Sequence, residues 1–391
     1  MFKNFHFKLK YVDWILVFLV LALSAVGVIV IGSAVPGASY PKRQIMGIAI
    51  GLFIMIFLML LDYNWLLKFH WLIYALCVII LAAVLIAGDK HKGAVRWIEF
   101  HGISFQPSEF AKILMIMFWS WLLGKNPNIV KKWRGFFIAT GLTLVPLLLI
   151  AAEPDLSTTI LVSVLFIIQL YISGFSYKKF AIIIGALLPI IGAVVIYIIA
   201  VPPTMENNQN KLLKGYQYKR IMAFIDPEKY DAERWQQDNA VMAIGSGQLT
   251  GKGLYNDSAN SVKNGNYIAE PQTDFIMAVV GEELGFAGCI SILGLILLIA
   301  MKCVITGARA PDMSGRLICF GVASILVFQT FINIGVVTEI LPNTGIPLPF
   351  VSYGLSSLVS MYAGIGLVLN VRFRKKASLE EDKNEHRFNR T

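Results

Sequence analysis

In NYIAEPQTDFIMAVVGEELGF (266–286), a polar loop runs into an apolar segment without dropping its acids. Asp274 stands where the apolar residues begin, and Glu282 and Glu283 follow two turns deeper. A carboxylate at the edge of hydrocarbon costs at least a few kcal/mol, so it marks a functional position. Acids placed there could line one polar cavity opening to the outside. At about 100° per residue, Glu282 lies about 80° round a helix from Asp274 and Glu283 about 180° round. Unless the helix deforms near Gly281, the three cannot share one cavity, so Asp274 and Glu282 are expected at a site and Glu283 at a helix–helix contact.

Further charges collect at the same kind of boundary. RWIEFHGISFQPSEFAK (96–112) carries Arg96, Trp97, Gln106, Glu109 and Lys112, and AAEPDLSTT (151–159) carries Glu153 and Asp155 in a tight turn. LPNTGIPLPFVSYGLSS (341–357) has three prolines and two glycines together with Ser352, Tyr353, Ser356 and Ser357. Backbone broken in this way at membrane depth is tolerated only against protein or a polar cavity. Each feature also has a plain structural reading. Glu109 and Lys112 are spaced i, i+3 on a helix begun by Pro107-Ser108. Asp155 is placed to cap a helix, and so is Asp274 with Thr273 beside it.

The elements that position these residues are membrane spans. Of 391 residues, 57% are hydrophobic and 15% charged, with a mean hydropathy of +0.67. Apolar runs of about 20 residues, enough to cross ~30 Å of hydrocarbon, recur along the chain. The fold class is therefore an all-α polytopic integral membrane protein; a β-barrel would alternate instead. Ten spans are expected, near 14–32, 45–61, 66–87, 109–124, 136–152, 158–173, 180–201, 275–298, 316–338 and 352–370. Basic residues beside alternate turns (Lys8 and Lys10, Lys68, Lys131 and Lys132, Lys178 and Lys179, Lys302 and Arg309, Arg372 and Arg374) place both termini in the cytoplasm. The first span is expected to be uncleaved, since its apolar run exceeds that of a signal peptide. The net charge of +10 follows this topology pattern, which argues against a nucleic-acid partner. The four cysteines have neither disulfide nor metal-ligand spacing.

One domain, 1–391, is expected, with a large extracytoplasmic loop at 202–273 and a disordered cytoplasmic tail at 377–391. Within the loop, DAERWQQDNAVMAIGSGQLTGKG offers an amphipathic helix (Trp235, Val241, Met242, Ile244) broken by Gly245, Gly247, Gly251 and Gly253.

Taken in order, RWI, FQPSEFAK, EPDLST, GSGQLTGKGL, TDFIMAVVGEELGFAG and PNTGIPLPFVSYGLSSL resemble the SEDS proteins (shape, elongation, division and sporulation: RodA, FtsW, SpoVE). GIPLPF is nearer the RodA branch. The resemblance covers essentially the whole chain and implies a peptidoglycan glycosyltransferase of the bacterial cytoplasmic membrane, polymerising lipid II on its outer face. It implies a class B penicillin-binding protein as partner, with other elongasome or divisome membrane proteins. It makes Asp274 the catalytic residue and maps the family's basic residues onto Arg96 and Lys112. Trp97, Gln106, Glu109, Asp155, Glu282, Ser352 and Ser356 are the further substrate-binding candidates. Gln272 stands where many members have His, Glu153 where Gln is usual, and Leu355 interrupts a common Gly pair.

A lipid-diphosphate sugar leaves as a stable anion, so one base and nearby cations suffice where glycoside hydrolases need two carboxylates. No cofactor is required by this chemistry; a divalent cation (Mg or Mn) on the diphosphate is compatible with it. The rival readings are a lipid II flippase, which would carry polar residues through the full membrane depth or inverted repeats, and a non-catalytic scaffold.

Overall fold

The computed structural model describes residues 9–91, 94–100, 103–126, 132–200, 215–256, 261 and 267–388. The remainder of the expected loop 202–273 lies outside the described residues. The helices are α1 (Trp14–Ala34), α2 (Tyr40–Leu60), α3 (His70–Ala87), α4 (Pro107–Gly124), α5 (Trp133–Ala152), α6 (Leu156–Ile172), α7 (Tyr177–Ala200), α8 (Gly215–Ile225), α9 (Asp231–Ser246), α10 (Ile276–Ala308), α11 (Met313–Val337) and α12 (Leu355–Phe388). All ten segments expected to span are helical. Among the described residues, seven helices are long and apolar enough to cross a membrane, and α6 is a shorter apolar helix. α4 falls short in hydropathy because it carries Glu109 and Lys112. It is also enclosed by protein, with Ala111, Lys112, Met115, Ile116 and Phe118 all buried, so lipid sets no demand on its composition. The outward residues of the other helices, such as Phe18, Phe53, Ile86, Leu148 and Leu297, are exposed and apolar, as a hydrocarbon solvent requires. This is a multi-pass membrane protein.

Ion pairs fasten one end of the bundle. Asp13, which caps α1, faces Lys302 of α10 at 3.4 Å and is bonded by Arg372 of α12. Lys125 lies 3.6 Å from Asp312, and Arg374 lies 3.7 Å from Asp62. The predicted site residues all lie at the opposite end.

The outer loop 88–108 and the tail expected to be disordered have structure of their own. Residues 88–108 contain an antiparallel sheet in the order β1 (Asp89–His91), β2 (Ala94–Phe100), β3 (Ile103–Phe105). Trp97 pairs with Asp89 across a bulge, and Ile98 with Phe105. The alternation in VRWIEF was the available signal. The tail differs too: α12 runs on to Phe388, through residues expected to be disordered. Its Ala, Leu, Glu and Lys are good helix formers continuing an established helix.

The loop helix α9 forms where it was expected, but with an unexpected side buried. Trp235, Val241 and Met242 are exposed, while Gln237, Asn239, Ala240 and Ala243 are buried. The polar pair satisfies backbone carbonyls: Gln237 Nε2 donates to Val336 and Leu341 O at 2.8 and 3.0 Å, and Asn239 Nδ2 to Tyr267 O at 3.2 Å. A buried carbonyl without a donor costs more than burying an amide side chain that supplies one.

The glycines after α9 fill a break in α10. The helix is interrupted at Gly285 (φ 65, ψ −166), not at Gly281, so nearby carbonyls and N–H groups lose their helical partners. The loop supplies them. Lys252 N and Gly253 N donate to Glu282 O and Glu283 O, each at 2.9 Å. In return, Phe286 N and Ala287 N donate to Gln248 O and Leu249 O at 2.8 and 3.0 Å. At Gly251 (φ 79) a Cβ would run into the backbone of Glu283 and Gly285, so this approach requires glycine.

Candidate active site

Asp274 lies in the turn before α10 and does not cap it. The cap position is Phe275, whose side chain makes no capping bond. The turn is instead held by its carbonyls. Asn333 Nδ2 of α11 donates to Asp274 O and to Ile346 O, both at 2.8 Å. Ser352 Oγ donates to Thr273 O at 2.7 Å while accepting from Leu348 N at 2.8 Å. Tyr353 N donates to Gln272 O at 2.8 Å. The proline-rich loop 341–354 and the Asp274 turn are therefore laced together through backbone, which fixes the position of the carboxylate.

That carboxylate is directed at Gly345. Asp274 Oδ2 lies 3.2 Å from where a Cβ would sit on Gly345, and Arg220 Nη1 of α8 lies 3.9 Å from the same point. Gly345 adopts φ +75, so the position favours glycine by conformation as well as by space. An acid and a guanidinium thus flank a spot left open by a missing side chain.

The neighbouring Thr344 ties in the α5–α6 turn, its carbonyl accepting from Ser157 Oγ at 2.8 Å. There Asp155 Oδ1 caps α6 through Thr158 N at 3.1 Å and lies 4.0 Å from Arg96 Nη1. Arg96 donates through Nε to Glu153 O at 3.4 Å and through Nη2 to Pro154 O, which also accepts from Gln217 Nε2 of α8 at 3.0 Å. The capping role of Asp155 is real, and it coexists with a position facing Arg96. Trp97 follows Arg96 on β2.

The other predicted residues sit in distinct contacts. Glu109 and Lys112 form a buried pair at 2.9 Å in the first turn of α4. Gln106 N donates to Ser356 Oγ at 2.9 Å, and Ser356 Oγ donates to Ser104 O at 3.3 Å, which joins α4 and β3 to α12. Glu282 is buried with Lys252 at 2.8 Å and Ser261 Oγ at 3.2 Å. Glu283 accepts from Ser33 Oγ of α1 at 2.7 and 2.5 Å, a helix–helix contact. The structure thus brings Asp274, Arg96, Asp155 and Ser352 around the Gly345 loop and gives Glu282 to the α10 break. Among the described residues, no group of three His, Cys, Asp or Glu side chains converges as a metal site.

Three residues here escaped the sequence reading. Asn333 carried a signal, being an amide deep in an apolar run. Gly345 lay inside a noted motif without being distinguished. Arg220 had no signal, since the polar stretch around it holds several basic residues.

Residues 7–377 match the family of cell cycle proteins that comprises FtsW, RodA and SpoVE. The chain belongs to this family. It is 34% identical to the peptidoglycan glycosyltransferase MrdB of Escherichia coli K12 over 379 residues, covering 96% of each chain. It is likewise 34% identical to the stage V sporulation protein E of Bacillus subtilis, over 92% of this chain and 96% of that one. Among solved structures, the rod shape determining protein RodA of Thermus thermophilus matches with a TM-score of 0.67 at 27% identity, over 92% of this chain and 96% of that one. A chain from a peptidoglycan synthase complex, described as coordinating polymerization and crosslinking, matches with a TM-score of 0.77 at 27% identity, over 93% and 98%. The matches to MrdB and RodA agree with the RodA-like motif GIPLPF.

Proposed function

We propose that Asp274 is the general base of a peptidoglycan glycosyltransferase that polymerises lipid II at the outer face of the cytoplasmic membrane. Membership of a family whose members are named peptidoglycan glycosyltransferases supports the activity. The observation that carries the residue assignment is the aim of Asp274 at the open position of Gly345 beside Arg220, with its turn pinned through backbone. The acceptor's sugar hydroxyl approaches Asp274 alongside Gly345, where no side chain stands in its way. Its oxygen attacks the anomeric carbon of the lipid-linked sugar, its proton passes to Asp274, and the bond to the diphosphate breaks. Arg96 and Arg220 neutralise the charge gathering on the leaving diphosphate. The likeness to a chain of a synthase complex supports a crosslinking penicillin-binding protein as partner. The test is polymerisation of fluorescent lipid II by the purified protein, alone and with that partner; no polymer under either condition would overturn the reading.

The same proposal predicts that Gly345→Ala impairs polymerisation. The new methyl would meet Asp274 Oδ2 at 3.2 Å, on a backbone at φ +75 that L-residues rarely adopt. A displacement of about 1 Å at a reacting group costs up to ~10² in rate. A decrease between tenfold and that value is expected, and a folded variant at wild-type rate would remove the acceptor from this spot.

Topology gives an independent check. With both termini cytoplasmic, the loop between α7 and α10 faces outward. A cysteine replacing the exposed Lys229 is expected to react with an impermeant thiol reagent in intact cells. Labelling only after lysis would reverse the orientation and remove the site from the outer face.

A further inference from the structure

Glu153 ends α5 at the turn where β2 and α8 meet the start of α6. Its side chain is fully buried, and neither carboxyl oxygen has a hydrogen-bond partner. The groups facing it are Arg96 from β2, Asp155 from its own turn and the Cys77 thiol from α3; the nearby Gln217 amide of α8 is neutral. Arg96 does not bond the Glu153 carboxyl. It donates to the carbonyls of Glu153 and Pro154 and lies 4.0 Å from the carboxylate of Asp155. A buried acid that receives no hydrogen bond sheds its charge. Burial, then the Asp155 charge, push the Glu153 carboxyl up to about 9, against the pull of Arg96.

We propose that Glu153 is a positioning residue held as a neutral acid, and that its neutrality keeps Arg96 on Asp155 and the α5–α6 turn in register with the Gly345 loop. This inference rests on Asp274 being the base, because the register it protects is the one Ser157 makes with Thr344, next to Gly345. On ionisation, Glu153 becomes a second anion beside Asp155. It competes for the Arg96 guanidinium and draws it away from the cap of α6. The sign follows. Between the ordinary carboxylate range and about 9, the folded protein holds a proton that the unfolded chain has lost, so stability falls as pH rises through this window.

The experiment compares wild type with Glu153→Gln, which keeps the shape and cannot ionise, in lipid II polymerisation and in thermal unfolding across pH 6–10. At pH 7 the two are expected to polymerise alike. Between pH 6 and about 9, the unfolding temperature of wild type is expected to fall more steeply than that of Glu153→Gln, and as pH passes about 9 wild type is expected to lose several-fold more rate. Profiles that superimpose in both measurements would overturn the proposal. Divergence in unfolding alone would leave Glu153 a structural acid and overturn its positioning role. The unfolding comparison is repeated in an Asp274→Asn background, where it reads Glu153 whether or not Asp274 is the base. Failure of the base assignment would show instead as full polymerisation by Asp274→Asn at every pH.

Discussion

Asp274→Asn is expected to abolish most polymerisation while leaving the protein folded and inserted. The amide matches the carboxylate in size and fits beside Gly345, yet it cannot accept the acceptor's proton. Loss of one acid–base catalyst typically costs ~10²–10⁴ in rate. The structural alternative predicts little, and the geometry explains why. Asp274 does not cap α10, and the bonds that hold its turn are made to the carbonyls of Gln272, Thr273 and Asp274, which the substitution leaves in place. The measurement pairs lipid II polymerisation with thermal unfolding of the same preparation. A folded variant within a few-fold of wild type would show that the proton goes elsewhere.

The largest expected effect on stability belongs to Lys112→Ala. Lys112 and Glu109 are 1% and 4% exposed in their side chains, and the second oxygen of Glu109 already lacks a partner. Removing the ammonium leaves a buried carboxylate uncompensated, and breaking such a pair from one side costs about 3–5 kcal/mol. Replacing both partners, as in Glu109→Gln with Lys112→Met, is expected to recover most of that loss, because no buried charge then remains. Thermal unfolding in detergent reads both variants. A Lys112→Ala protein as stable as wild type would mean that the pair contributes nothing to the fold, and would return Lys112 to the diphosphate as its cation.

The fold class was legible in the sequence because hydrocarbon imposes a one-dimensional rule. A segment that faces lipid must be apolar along its whole length, and its ends keep their charges, so spans can be read from local composition. α4 and the strands mark the limit of that rule. α4 answers to its protein neighbours rather than to lipid, and β1 and β3, three residues each, are too short for alternation to stand out from a loop. Asp274 was legible for the same reason as the spans, since an acid where an apolar run begins is a local anomaly.

What the chain alone left open was which polar groups meet, and that depended on contacts far apart in sequence. Glu282 shares a helix with Asp274, and ideal helical geometry put the two within about 80° of each other. The break at Gly285, filled by backbone from 248–253, gives Glu282 to Lys252 instead. α9 was recognised as a helix, but the carbonyls of Val336, Leu341 and Tyr267, which accept from its amides, selected its amide side for burial. Gly345 and Arg220, 125 positions apart by their numbers (345 less 220), acquire meaning only where the tertiary structure sets both against Asp274. A sequence records the cost of placing each charge in the membrane, because that cost is local. The partner that offsets it is fixed by packing, so only the folded chain decides it.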